Sequence, residues 1–264
     1  MTIGVPPLSL ALGGLQAGDA SPAGLRDLVP WARSIGFAAV HLNAAAPGLR
    51  ARELDRSARR DLAATIRREG LDLSGADLWI PPEHFSDPAQ VDRAAGAAIA
   101  AMELVAELAC LVRGIGSVAA RPCISIVLPE NLSGAVKSQL ATAADKAGVR
   151  LADHAPVAER TPSTGIDAGI DPAAALSAGK DPASLVSKLG PALASGRLSD
   201  LSRHVGGGRV VPGSRDGRLD LLAYIVALTT IEYTGWVVAD TRSLAQPNAA
   251  AAAMVEAWTD QLNV

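Results

Sequence analysis

Short apolar runs alternate with longer stretches of helical periodicity from one end of the chain to the other. Residues 8–12 alternate apolar and small positions and stop at Gly13 and Gly14, which predicts a strand. Ser21 before Pro22 reads as an N-cap with proline at the first helical position, and the helix it opens should run to about Ser34 and end near Gly36. The cycle then repeats. Strands are expected at 38–43, 71–77, 123–128, 149–153, 165–170, 196–200 and 235–240. Helices are expected at 52–68, 88–112, 133–147, 181–193, 220–231 and 246–262, several of them stopped by a glycine such as Gly70 or Gly148. Residues 114–122 read as a linker, 155–164 as a loop where a helix is missing, and 203–218 as a long glycine-rich loop.

About eight strand–helix units in series, with no composition break between them, predict one α/β domain over residues 1–264: a (β/α)8 TIM barrel with parallel strands. A doubly wound open sheet is the competing architecture. No GxGxxG follows the first strand, so a nucleotide cofactor is not expected.

Composition narrows the function classes. Apolar residues make up 49% of 264, enough for a large core, but aromatics are only 3%, so Ala, Leu and Val must fill it. The net charge of −3 argues against a nucleic-acid partner. Cys110 and Cys123 form no CxxC pair and fit free thiols in a reducing, cytoplasmic setting. The apolar N-terminus has no Lys or Arg before Arg26 and is broken by Pro6, Pro7, Gly13 and Gly14, so a first barrel strand is expected there rather than a signal peptide. No membrane span is expected, because the Ala-rich stretches are interrupted by charges or proline.

Several stretches resemble the xylose isomerase-like TIM barrels, the sugar and sugar-phosphate isomerases and epimerases. GIDAGIDPAAALSAGKDP, ending at Pro182, is similar to that family's sixth strand, with an Asp-Pro pair followed by a small-residue helix and a Gly-x-Asp-Pro. Arg197 to Asp200 resembles its seventh-strand His-x-x-Asp. The stretch from Arg209 to Asp220 resembles the long loop that leads to a Leu-Asp helix start. Tyr233 to Asp240 resembles the last strand, Tyr-x-Gly-x-apolar-Glu, and Gly36 to His41 resembles Gly-Phe-x-x-Val-Glu. The resemblance implies a divalent metal (Mn, Mg or Zn) at the C-terminal mouth, a carbohydrate-like small-molecule ligand and a homo-oligomer. There a hard cation would polarise a hydroxy-carbonyl while flanking groups move a proton.

Carried over position by position, the metal ligands fall on His154 or its neighbour Asp153, on Asp171 and on Asp240. The fourth position, a histidine in the family, is Arg197, which cannot bind a metal and would repel one. Asp171 could equally cap the next helix, Asp240 could pair with Arg242, and Arg197 could reach Asp240 or Asp171 across the barrel. Arg197 and Arg242 are also candidates for a substrate contact. His41 and Asn43 share one face of the second strand and are substrate-binding candidates. The loop after the third strand holds Asp77, Trp79, Glu83, His84 and Phe85. Its Trp79 offers a face for a sugar, and Glu83 and His84, with Asp171, are candidate acid–base groups. In the loop 203–218, Arg203, His204, Arg209 and Arg215 read either as an anion site or as a surface loop.

Three functions follow: an isomerase or epimerase acting on a sugar, sugar phosphate or related hydroxy-carbonyl compound; a barrel that has lost catalysis and serves as a binding or structural protein; or a metal-free isomerase or lyase using Glu83, His84 or Asp171 as acid–base groups. A catalytic barrel should bring ionisable groups with perturbed pKa values together at the mouth, whereas a non-catalytic one should pair them off. The apurinic endonucleases of the same fold need several histidines and a basic face, which four His and a negative net charge do not supply.

Overall fold

The computed structural model describes residues 5–15, 22–114, 120–155 and 165–261. In chain order its elements are β1 (Leu8–Ala11), α1 (Pro22–Ser34), β2 (Ala39–Asn43), α2 (Arg56–Arg68), β3 (Asp72–Asp77), α3 (Val91–Arg113), β4 (Cys123–Ile126), α4 (Gly134–Ala147) and β5 (Arg150–Asp153). They continue with β6 (Asp167–Ile170), α5 (Pro172–Ser177), α6 (Pro182–Leu189), β7 (Leu193–Leu198), β8 (Asp200–Leu201), β9 (Arg209–Val210), α7 (Leu221–Thr230), β10 (Val237–Ala239) and α8 (Pro247–Asp260). Strands β1 to β7 and β10 close into a barrel, each parallel to its neighbours, with β1 joining β10. This is the expected (β/α)8 barrel. The small pair β8–β9 is an antiparallel hairpin after β7.

The helix starts are local chemistry. Asp55, Ser133, Asp181 and Asp220 each accept a backbone N–H three residues on, satisfying a donor that the first turn leaves unpaired. Asp55 explains why α2 starts four residues later than expected: residues 51–53 form a turn instead. The small-residue helix implied by the family resemblance is α5, capped by Asp171. The expected helix 181–193 stops at Leu189, because Gly190, at φ 52°, leaves the helical region. The following strand accordingly starts at Leu193 rather than residue 196, and Asp200 belongs to the hairpin. The Ser21 cap, the loop 156–164 and most of the linker 114–122 lie outside the described residues.

Outward-facing strand residues, among them Leu10, Val40, Ile124, Leu151 and Ile170, are buried under the helices in one continuous core of mostly Leu, Ala and Val. By length and composition α3 could cross a membrane, contrary to the sequence reading, but it is a ring helix with ten of its side chains buried in the fold.

The barrel interior is different. Register and strand alternation turn Ser9, Ala39, Gly75, Ser125, Ala152, Gly169 and Ser195 inward. The hydroxyls of Ser125 on β4 and Ser195 on β7 meet across it at 3.4 Å. Barrels of this type normally fill this space with branched apolar residues; here the small residues leave room for long polar ones above. Two strands carry an extra residue. The β2–β3 register shifts between Val40 and His41, where Ser74 is unpaired, and the β6–β7 register shifts between Ala168 and Gly169, where Ala194 is unpaired. At the first bulge Gly75 has φ 145°, and a Cβ there would lie 1.8 Å from the Cys123 carbonyl oxygen.

Gly75→Ala is therefore expected to cost at least about 3 kcal/mol or to prevent folding, because neither backbone can yield. Gly96→Ala, in the middle of α3 with nothing within 4 Å of the new methyl, should instead stabilise by about 0.5–1 kcal/mol. Urea unfolding of the two variants checks both signs.

Candidate functional site

The C-terminal ends of β2, β3, β5, β6, β7 and β10 present His41, Asp77, His154, Asp171, Arg197 and Asp240 to the mouth of the barrel. Arg197 is fully buried. Its two terminal nitrogens fork onto the carboxylate of Asp77, itself buried, across the barrel from β7 to β3. Its expected partners were Asp171 and Asp240. Those carboxylates are instead bridged by Arg209, which reaches in from the β8–β9 hairpin with Nη1 3.0 Å from Asp240 and Nη2 on Asp171. Arg242 closes on Asp240 as well, with Nε 2.8 Å from Oδ1. Three carboxylates thus meet three guanidiniums, and their charges cancel.

Around this network sit the two imidazoles and one indole. His41 is buried, with Nδ1 3.0 Å from the Ser74 hydroxyl. Its Nε2 lies 3.3 Å from Asp77, without the alignment of a hydrogen bond. Strand alternation turns His154, not Asp153, into the barrel. Its Nε2 is 3.2 Å from Ser125, while Asp153 accepts the backbone N–H groups of Leu128 and Ala155. Gly169 gives the His154 ring its seat, since a Cβ there would fall 2.4 Å from it. Trp79 meets His154 edge-on at 5.8 Å, and the guanidiniums of Arg197 and Arg242 lie 5.4 and 4.5 Å from the centre of its ring. Trp79 Nε1, His154 Nδ1, Arg197 Nε and Thr241 Oγ1 are buried without a hydrogen-bond partner.

The electrostatics follow from burial and pairing. Burial alone would raise the Asp77 carboxyl, but the charge of Arg197, with His41, outweighs it and holds Asp77 far below the usual carboxylate range. Burial would also raise Asp240, yet hydrogen bonding to Arg242 and the surrounding arginine charges bring it down to about 2. Burial depresses His41 more than Asp77 can raise it. Burial and the charge of Arg197 push His154 well below the ordinary imidazole value. Both imidazoles are neutral at pH 7, and Asp77 and Asp240 are anions held by cations.

Other candidates take different places. Asn43 accepts the N–H of Ala45 and lies beside Gly13. Asp171 caps α5 through Oδ1, which also takes the Ser199 hydroxyl, and gives Oδ2 to Arg209. Glu83 and His84 fall in a short 3-10 helix, Pro82–Phe85. Glu83 is exposed, His84 lines a separate groove beside Trp79, and among the described residues neither contacts the mouth network. Asp77 and Arg209 were the residues hardest to foresee. Asp77 ends β3 just before a loop full of polar residues, and Arg209 belongs to a hairpin whose two-residue strands leave no periodic signal.

No family model and no curated protein matches the chain at the sequence level. Solved structures do match along its whole length. The chain is similar to an L-ribulose 3-epimerase, with TM-score 0.73 and 15% identity over 98% of this chain and 96% of that one. It is similar to a D-allulose 3-epimerase from Methylomonas sp. in complex with D-allulose, with TM-score 0.68 and 16% identity over 97% and 98%. The chain has the xylose isomerase-like TIM-barrel fold. A xylose isomerase-like TIM barrel protein from Mycobacterium smegmatis, in complex with magnesium, matches at TM-score 0.65 and 13% identity over 99% of both chains. Identities this low carry the fold alone, so the chemistry has to be read from the mouth itself.

Magnesium is bound in that Mycobacterium protein, and the donor set here does not fit a divalent cation. Asp171 and Asp240 share one guanidinium, and Asp240 holds a second. The β7 position is the cation Arg197. Among the described residues no group of three or more His, Cys, Asp or Glu side chains is placed to hold a metal ion. A divalent ion here would have to displace arginines and would sit beside an unremovable positive charge.

Arg197→Met should destabilise the fold by about 3–5 kcal/mol, because it leaves Asp77 buried and unpaired, and a second substitution, Asp77→Leu, should recover most of the loss. A denaturant double-mutant cycle measures the coupling. The pH dependence has a definite sign. The folded-state values of His41 and His154 are depressed, so the unfolded chain binds more protons below pH ~6.5 and stability falls with pH from there, by up to about 1.4 kcal/mol per pH unit for each imidazole. Asp77 and Asp240 are depressed carboxylates. Their stabilisation is present above pH ~4 and is lost as pH falls towards and below ~2. A stability profile that stays flat from pH 7.5 to 5 would mean that the imidazoles are not held neutral.

Proposed function

We propose that the mouth of this barrel binds a neutral, carbohydrate-like polyhydroxy compound, that it does so without a divalent cation, and that the protein serves as a binding protein rather than a metal-dependent isomerase. The observation that carries this reading is the pairing of Asp77, Asp171 and Asp240 with Arg197, Arg209 and Arg242. A site with no net charge gains nothing from a phosphate or a carboxylate, and arginines already committed to carboxylates are not free to grip one. The part-exposed rings of Trp79 and His154 instead offer a polyhydroxy compound an aromatic face and a neutral polar edge rather than charge. Asp77, Asp171 and Asp240 are each held by arginine, so the carboxylate chemistry expected of an isomerase does not fall to them. Two free cysteines, with the buried Cys123 thiol raised by burial to about 12, fit a reducing compartment, and a cytoplasmic location is part of the proposal.

One observation favours a second reading, isomerase or epimerase chemistry without a metal. His41 and His154 are neutral, and each keeps one ring nitrogen without a hydrogen-bond partner. A neutral imidazole placed beside a hydroxy-carbonyl compound can take the proton next to its carbonyl.

Saturation-transfer NMR in deuterium oxide separates the readings, with D-allulose and D-fructose as neutral probes and their phosphates as controls, in the presence of a chelator. Binding of the neutral sugars without loss of any carbon-bound proton is the expected result. Binding accompanied by exchange of the proton beside the carbonyl, lost in His154→Gln, would establish the second reading. Binding only of the phosphates, or only when Mn2+ or Mg2+ is added, would overturn both.

A further inference from the structure

A second cavity adjoins Trp79 outside the charge network. The connection after β2, the connection after β3 and the first half of α3 enclose a groove of about 470 Å³, within the ~300–1,000 Å³ usual for small-molecule sites. Its floor is apolar: Ala44, Leu78, Ile80, Ala97, Ala100 and Ala101. The groove exists because this half of α3 is built from alanine and glycine, so the space that longer side chains would fill stays open. Its charged lining is of one sign. Arg50, Arg52 and Arg93 stand around the floor with His84, and among the described residues no carboxylate lines the groove. Arg50 is held by Glu53 and the Ala45 carbonyl. Arg52 is three-quarters exposed with only a loose 3.8 Å approach to Glu53, and the hydrogen bond of Arg93 goes to the neutral amide of Gln90. Two guanidiniums at an apolar trough therefore keep most of their capacity for an anion.

The geometry points to a binding site for an amphipathic anion, a medium-chain alkyl carboxylate whose tail lies on the alanines of α3 and whose carboxylate is taken by Arg93 and Arg52. The complementarity is in both halves of the ligand. The floor rewards burial of methylenes, and the guanidinium fork matches a carboxylate. The assignment also gives His84 a place, as a rim donor rather than a mouth acid–base group. It does not depend on what the barrel mouth binds.

The test is calorimetric titration of the full chain with octanoate, below its micellar range, and with octan-1-ol as the uncharged control, together with carbon NMR of carboxyl-labelled octanoate. The expected result is saturable one-to-one binding of octanoate, weaker for octan-1-ol by about tenfold or more, with a shifted carboxyl resonance. Arg93→Glu should weaken octanoate by a similar factor. Ala97→Trp, at an exposed helix position, should abolish saturable binding while leaving the thermal melt unchanged. Absence of saturable binding, equal affinity for octan-1-ol, or full affinity in Arg93→Glu would overturn the assignment. So would a dimer seated on this face that octanoate does not disturb. Should Ala97→Trp fail to fold, Arg93→Glu on the surface still decides the matter.

Discussion

The rest of the mouth is arranged around one buried ion pair, Arg197 with Asp77. A guanidinium sealed inside a barrel is tolerable only with a carboxylate on it, and that carboxylate can come only from a strand whose end faces Arg197 across the interior. The small interior residues follow from this requirement, since Arg197 needs the volume that valine or isoleucine would otherwise occupy. The neutral state of His154 is favoured as well, because the charge of Arg197 adds to the burial that already depresses the imidazole. The other two aspartates are answered by Arg209 and Arg242.

This arrangement reuses a familiar architecture for different electrostatics. The fold gathers the ends of parallel strands at one face, which suits any set of converging polar groups. In a metal site the carboxylates are the anions and one ion is the counter-charge. Here the counter-charge is distributed over three side chains, each tethered to its own element: a strand, a hairpin and the loop after the last strand. The mouth is thereby held together by covalently attached cations.

Much of the architecture was legible because it rests on local rules. The strand–helix alternation, the caps at Ser133, Asp181 and Asp220, and the stop at Gly148 each arise from a few neighbouring residues. The helix end at Gly190 and the true start of β7 were not, because Gly196 within a strand reads like a boundary. For the site, legibility stopped where contacts became long-range. The Asp240–Arg242 pair, two residues apart, was one of two readings the sequence left open; the Arg209 bridge to Asp171 and Asp240 spans 38 and 31 residues, and the Arg197–Asp77 pair spans 120. No periodicity encodes which of several polar residues at strand ends will meet. The choice between Asp153 and His154, left open by sequence, was settled by pairing with β4.

The two unpaired residues in the barrel strands bear on this last point. Counting from Leu73, which faces the helices, a regular strand would put Ser74 inward and Asp77 outward. Counting from Leu193 in the same way, a regular strand would put Arg197 outward. The extra residues at Ser74 and Ala194 reverse the phase of each strand just before its charged member. Both halves of the central ion pair owe their direction to a one-residue insertion. Deleting either would drive a charge into the apolar layer beneath the helices and leave its partner stranded inside, so neither bulge can be lost alone, and the two strands are bound to change together.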